Sequence, residues 1–353
     1  MAGDHRRPQD RTGAQRPPLL GGFFGSEVPG AGGLAELWHL DPGLCWENLG
    51  SAFAALIRHL APKTVWMPGY LCRHMAAAVR PDQRRFYPLT AAMQPDLASF
   101  DALQDGDLVL AVSYFGRPLG ADWRHMVATR PGVWFAEDCA QSLATGAAPW
   151  SDWRLYSPRK LMGVAEGGVL VALSDRARTA RIAGPALPPD PQAVEQRLLP
   201  MRLRQARPMD NALWHPLHQA AENAGLVSDR AMDPAALALL TALDPLPMIA
   251  ARRANFARLA GLLADHAVMP DLAPGFAPFG FPVRLPGGAR DRVLSRMHQH
   301  GVYPAVHWRD IAAPKGFADD HLRAMELATL PCDHRYDLAD MDRLAAVFRA
   351  ALP

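Results

Sequence analysis

The chain has 353 residues, nearly half of them hydrophobic, and a formal net charge of +2 at neutral pH. That length can bury a large core, and about two domains is the default expectation. The charge is spread thinly, with Arg and Lys in clusters no longer than about a pair, which excludes a nucleic-acid-binding stripe or a polybasic membrane patch and leaves a small-molecule substrate.

Four cysteines, Cys45, Cys72, Cys139 and Cys332, lie far apart with no CxxC spacing and no secretory signal. Neither a disulfide framework nor a zinc site is expected, and a cytoplasmic protein is. No apolar run approaches the roughly 20 residues needed to span a bilayer. Of the thirteen histidines, His298 and His300 are two apart on a predicted helix and point to different faces, so no metal is expected.

In chain order, residues 1–18 are polar and rich in Arg, Gln and Pro, which predicts a disordered arm. A glycine-rich, apolar lead-in follows, with Gly21-Gly22-Phe23-Phe24-Gly25 at its centre, placed to lie over a pocket or a partner subunit. Asn48-Leu49-Gly50-Ser51 precedes an apolar-periodic helix expected over residues 52–60. Its start could hold an anion, although Gly-Ser before a helix is common.

Strands are predicted at 64–67, 85–87, 107–113 and 132–136, with a helix at about 72–79. Short strands alternating with helices predict a mostly parallel α/β sheet, in which ligands collect at the carboxyl ends of strands. Asp138 and the turn Tyr114-Phe115-Gly116 fall at such ends. The segment 153–156 reads as a strand broken by Ser157-Pro158, and Gly167-Gly168 opens another over 169–173, leaving Lys160 on the loop between them.

Lys160 is one of three lysines against thirty-four arginines. A guanidinium cannot be deprotonated in a protein, whereas a desolvated amine can attack a carbonyl and form a Schiff base. On the count alone it could equally be a chance surface lysine. Residues 174–233 read as irregular, with a Pro-rich patch at 185–191 and amphipathic helical pieces. Beyond them come a long connector helix at 247–266, a strand at 281–285, a helix at 289–300, a strand at 302–308 and a closing amphipathic helix at 340–351.

A lysine after a strand, a carboxylate at the end of the strand before it and a phosphate-ready helix start are the three groups that pyridoxal phosphate (PLP) needs. At Glu137-Asp138-Cys139-Ala140-Gln141, Ser157, Lys160, Gly167-Gly168 and Gly50-Ser51-Ala52, the chain resembles the DegT/DnrJ/EryC1/StrS aminotransferases, members of the fold-type I (aspartate aminotransferase) superfamily. Pro68-Gly69-Tyr70, the Tyr114-Phe115-Gly116 turn, Gly301-Val302-Tyr303, His307-Trp308 and Leu330-Pro331 resemble further motifs of that family.

The resemblance, over roughly residues 45–350, implies a large PLP-binding domain at 19–245 with a mostly parallel mixed sheet flanked by helices. A connector helix and small C-terminal α/β domain would occupy 246–353. It implies a homodimeric aminotransferase moving an amino group, with glutamate as the expected donor, to a keto-sugar or related carbonyl compound, as in sugar, secondary-metabolite or surface-polysaccharide biosynthesis.

It further implies that Lys160 holds PLP and moves the proton, that Asp138 pairs with the ring nitrogen, and that Ser157 and Gly50-Ser51-Ala52 hold the phosphate. Gln141 would lie near the ring and Tyr70 would cover its face, although Cys72 stands nearer the family's aromatic position. His307, Trp308, Arg159 and Arg335 are candidates for substrate contacts. Each has a plainer reading: Asp138 as a helix cap, Tyr70, His307 and Trp308 as packing, the arginines as partners of surface acids. The family's middle Asn-Arg-Met motif is only poorly matched, at residues 228–232. Other PLP chemistry on the same scaffold, or a non-catalytic binding role, remains the alternative.

Overall fold

A computed structural model describes residues 19–146, 148–225 and 227–353; the arm expected at 1–18 lies outside them. Its centre is a seven-stranded sheet built from β2 (Cys45–Trp46), β3 (Val65–Pro68), β4 (Arg84–Tyr87), β5 (Leu108–Val112), β6 (Trp134–Asp138), β7 (Trp153–Tyr156) and β8 (Gly168–Ala172). β1 is the two-residue strand Leu20–Gly21, outside this sheet.

The strand order is β2-β8-β7-β6-β5-β3-β4. From β4 to β7 every pairing is parallel, and β8 runs antiparallel to both its neighbours. All five residues of β5 are buried, as the run Leu-Val-Leu-Ala-Val requires in a parallel sheet covered on both faces. The helix Leu49–Leu60 packs Phe53 and Leu56 into the same core, with neither exposed.

The last third of the chain adds a second core. β9 (Phe281–Arg284) pairs antiparallel with β11 (Leu327–Leu330), and β10 (Val302–Tyr303) pairs parallel with β1. Phe256, Leu259, Met297, Leu344 and Phe348 close over β9 and β11 from three helices, Pro245–Leu263, Arg290–Gln299 and Leu338–Ala351. The helices Pro191–Ala206 and Asn211–Ala224 pack on each other in the stretch that reads as irregular. Among the described residues no single helix is long and apolar enough to cross a bilayer; Pro234–Thr241 and Pro245–His266 meet that length and composition only together, as a pair bent by 72°.

The glycine-rich lead-in is a strap between these two cores. Gly21 N–H donates to the Tyr336 hydroxyl at 2.8 Å. Farther on, Glu27 N–H donates to the Gly163 carbonyl at 2.9 Å. The Glu27 carboxylate accepts from Gly163 N–H at 3.0 Å and meets His334 Nε2 at 2.9 Å. Gly163 lies three residues beyond Lys160, so the strap touches the segment that carries the lysine.

Several boundaries differ from expectation for local reasons. The first long helix begins at Leu49 because the Asn48 side chain caps it, accepting from Ser51 N–H at 2.9 Å; Gly50 and Ser51 therefore sit inside the first turn. Glu137 and Asp138 are in β6 rather than after it. Lys160 lies in a single helical turn, Pro158–Leu161, started by proline at its first position. The strand expected at 302–308 stops at Tyr303, since Pro304 has no N–H to continue a ladder.

The cap's position depends on Gly168. A Cβ there would lie 2.1 Å from the Asn48 carbonyl oxygen and 2.5 Å from Leu49 N. Gly168→Ala is expected to lower unfolding stability by roughly 1–3 kcal/mol through overpacking. Gly261→Ala, in a helix with nothing within 4 Å of the added carbon, should instead add up to about 1 kcal/mol. Denaturant unfolding of the two variants checks the contrast, and equal effects would contradict it.

Candidate active site

β6 and β7 run parallel, with Asp138 opposite Leu155, so the carboxylate and the segment following β7 emerge at the same sheet edge. Side chains alternate along a strand. Glu137 therefore faces away from Asp138, where Arg154 Nε donates to it at 2.6 Å and the Ser113 hydroxyl at 2.7 Å. These bonds tie β6 to both neighbours and fix which way Asp138 points.

Asp138 is 3% exposed, and its Oδ1 accepts from Ala140 N–H at 2.8 Å. Burial raises its pKa, against the opposing pull of Lys160 and of that N–H. Lys160 and Asp138 thus feel each other electrostatically, but no ion pair within 4.0 Å joins them. Asp138 itself is not in the lining of either cavity that Lys160 borders.

Lys160 lines a cavity of about 410 Å³ together with Gly50, Cys72, Ser157 and Trp308. Asn48 bridges to Gly167, which brings the N-terminus of the Leu49–Leu60 helix to this wall. Gly50 is in the first turn, where helix N–H groups have no intrahelical acceptor and suit an anion. Ser157 is 2% exposed and also faces the cavity.

Other candidates lie elsewhere. The Ser51 hydroxyl is fully buried, donating to Asn48 Oδ1 at 3.1 Å and accepting from Ser228 N–H at 3.0 Å. Ala52 packs in the main core. Gln141 accepts from Phe115 N–H at 2.8 Å, holding Phe115 at a φ of 55°, and so supports the turn behind Asp138.

Tyr70 is 1% exposed and outside the cavity lining. Its hydroxyl donates to the His307 carbonyl at 3.0 Å and its ring meets Trp308 edge-on at 4.9 Å. Trp308, with a left-handed φ of 53°, is the aromatic that reaches the cavity. Cys72 stands beside it. Burial would raise its thiol pKa, but a hydrogen bond to His74 and the charge of Lys160 bring it below the usual value.

His307 is held neutral, its pKa lowered to about 3 first by burial and then by Lys160, and its Nε2 is buried without a partner. Arg335 borders a smaller cavity that Lys160 also lines. Its guanidinium is already used, gripping Asp333 at 2.7 and 2.8 Å and the carbonyls of Phe23 and Gly22 at 3.0 and 3.2 Å. Arg159 pairs with Glu222 at 2.5 Å. Sequence reading missed Glu222, on the opposite wall, because the acid lies 62 residues from Lys160 with no local motif.

No protein-family model matches the sequence, and no curated protein does. Solved structures match the fold. A DegT DnrJ EryC1 StrS aminotransferase from Brucella abortus is 16% identical, with 90% of this chain and 87% of that one covered at a TM-score of 0.62. The aminotransferase TlmJ from Streptoalloteichus hindustanus is 18% identical, covering 94% and 98% at 0.61. DesV from S. venezuelae, solved in complex with a ketimine intermediate, is 18% identical, covering 90% and 86% at 0.60. The chain therefore has the fold of the DegT/DnrJ/EryC1/StrS aminotransferases, a mixed α/β sheet flanked by helices.

Because the fold raises the Asp138 pKa, the ionised carboxylate costs stability in the cofactor-free protein above that raised value. The cost disappears below the unfolded pKa, where both states bind the proton. Asp138→Asn should thus make the cofactor-free protein more stable at neutral pH, with the difference vanishing as pH falls through the ordinary carboxylate range. Denaturant unfolding across that range checks it; a destabilised variant at neutral pH would contradict the assigned burial cost.

Proposed function

We propose that this chain is a PLP-dependent aminotransferase that moves an amino group from an amino acid, with glutamate as donor, to a keto-sugar or related carbonyl compound. The observation that carries this reading is the Lys160 amine lining a cavity while electrostatically coupled to the buried Asp138 across a gap wider than an ion pair. When bound, PLP would supply an aldehyde for an amine and a ring that stores electrons.

The chain's own residues fit that group. Asp138, a buried carboxylate whose charge is costly by itself, gains a cationic partner when it faces a protonated ring nitrogen. Lys160 supplies the amine that anchors the cofactor and, once displaced, holds or moves a proton at Nζ. Ser157 and the N–H of Gly50 are donors in the lining that suit a phosphate. Trp308 and Cys72, which line the cavity with Lys160, would be the residues to cover the ring, in place of Tyr70, which packs against Trp308 from outside the lining. Neutral His307 lies outside the lining of the cavities that Lys160 borders and backs them through its carbonyl, which accepts from the Tyr70 hydroxyl.

In this reading residues 19–245 form the cofactor-binding domain, 246–353 form the connector and small domain, and the working protein is a cytoplasmic homodimer. The keto-sugar acceptor follows the likeness to solved structures described as sugar aminotransferases.

Purified protein supplied with PLP should be yellow, and borohydride followed by peptide mass spectrometry should place the cofactor on Lys160. Lys160→Ala should lose turnover by about a hundredfold or more. A colourless protein that takes up no PLP, or a Lys160→Ala variant working at the parent rate, would overturn the proposal. Conversion of the bound cofactor to its amine form by glutamate separates transamination from elimination.

A further inference from the structure

The backbone that leaves the Lys160 turn is gripped from outside at two points. Arg252 Nη2 donates to the Leu161 carbonyl at 2.5 Å, one residue beyond the lysine. At Gly163 the strap takes both main-chain groups: Glu27 N–H donates to the carbonyl at 2.9 Å, and Gly163 N–H donates to the Glu27 carboxylate at 3.0 Å. So close an approach needs glycine, because a Cβ on Gly163 would collide with the Gly25 carbonyl oxygen.

His334 joins the two grips. Its Nε2 meets Glu27 Oε1 at 2.9 Å and its Nδ1 meets Arg252 Nη2 at 3.4 Å. A guanidinium only donates, so Nδ1 accepts and the neutral ring carries its proton on Nε2, facing the carboxylate. Stacking on Phe24, with ring centres 5.6 Å apart, holds the imidazole in that plane. Burial by itself would raise the Glu27 pKa, but His334, the Gly163 N–H and Arg335 bring it below the usual value, so the group that accepts these bonds at neutral pH is a carboxylate.

Arg252 is itself anchored. It is 1% exposed, and its Nη1 donates to the carbonyls of Pro278 and Phe279 at 3.2 Å each. Residues 160–163 are therefore tied at once to the strap, to the loop before β9 and, through His334, to the segment after β11. Neither Glu27 nor His334 lines a cavity that Lys160 borders, so both act from behind the lysine backbone. A lysine carries its amine on a flexible four-carbon stem, and the direction of that stem starts from the backbone beneath it. A misplacement of about 1 Å at a reacting group can cost about a hundredfold in rate.

We infer that Glu27 is a positioning residue for Lys160, and that Glu27, His334 and Arg252 form a brace that aims the lysine amine. The carboxylate is the shared member of the brace. Its removal frees the Gly163 N–H and His334 Nε2 together, and leaves Arg252 beside a ring that is no longer held at its far side. The aimed amine's task rests on the aminotransferase reading, whereas the brace rests on the hydrogen bonds alone.

Hydrogen exchange read by mass spectrometry on the cofactor-free protein judges the brace without turnover. In Glu27→Ala the amides of residues 160–164 should exchange about tenfold faster, the loss of a hydrogen bond to a charged group, while those of β5 keep the parent rate. Glu27→Gln still accepts from both donors and should stay within about threefold of the parent. His334→Phe keeps a ring against Phe24 but loses both ring bonds; it should loosen the same amides and takes the place of Glu27→Ala if that variant does not fold. With PLP supplied, the brace-breaking variant should weaken the visible circular dichroism of the bound cofactor and lower kcat by about tenfold at an unchanged glutamate KM, and Glu27→Gln should restore both. Unchanged exchange at 160–164, an equal rise in β5, a loosened turn with unaltered circular dichroism and kcat, or a glutamine variant as impaired as the alanine one would each overturn the inference. Failure of the parent protein to take up PLP would count against the aminotransferase reading, while the exchange would still judge the brace.

Discussion

The structure turns on two parallel strands ending side by side. Because β6 and β7 are paired in the same direction, with Asp138 opposite Leu155, an acid at the end of one and a lysine just beyond the other reach the same edge of the sheet. Glu137 makes that placement rigid. Bound to Arg154 and Ser113 on the opposite face, it leaves Asp138 only one way to point. The burial that follows is unfavourable to an ionised carboxylate, a cost that has a use where a positively charged group is to be held.

Around this pair the chain brings in parts from distant segments. Gly168 lets the Asn48 backbone approach closely enough to set the Leu49–Leu60 helix against the lysine turn. The strap from Leu20 to Glu27 runs between the C-terminal core and Gly163, with Arg204 and Arg335 holding its carbonyls. Arg335 is thus a fastener for the strap. Its fork is filled by Asp333 and two main-chain oxygens, which explains why a cation beside the lysine need not be a substrate ligand.

Much of this was legible in the sequence, and the failures have definite causes. The run around β5 is apolar on every residue and bounded by turns, so its strand and its full burial could be read directly. Asp138 and Lys160 stood out by residue type and order. The helix start was misplaced by three residues because Asn48 was not recognised as the cap. Residues 191–224 read as irregular since Pro200 and Pro216 interrupt two helices that survive them. β2 is too short for any periodicity, and its existence depends on β8 beside it. Tyr70 and Cys72 could not be told apart because their orientation is set by the packing of Trp308, more than 200 residues away.

The central claim is that Asp138 and Lys160 grip opposite ends of one pyridine ring. Nitrogen NMR of the protein carrying PLP labelled at the ring nitrogen tests it most directly. The account predicts a protonated ring nitrogen in the parent protein and loss of that proton in Asp138→Ala, with the cofactor still attached to Lys160. An unprotonated nitrogen in the parent, or one whose state is the same with and without the Asp138 carboxylate, would contradict it.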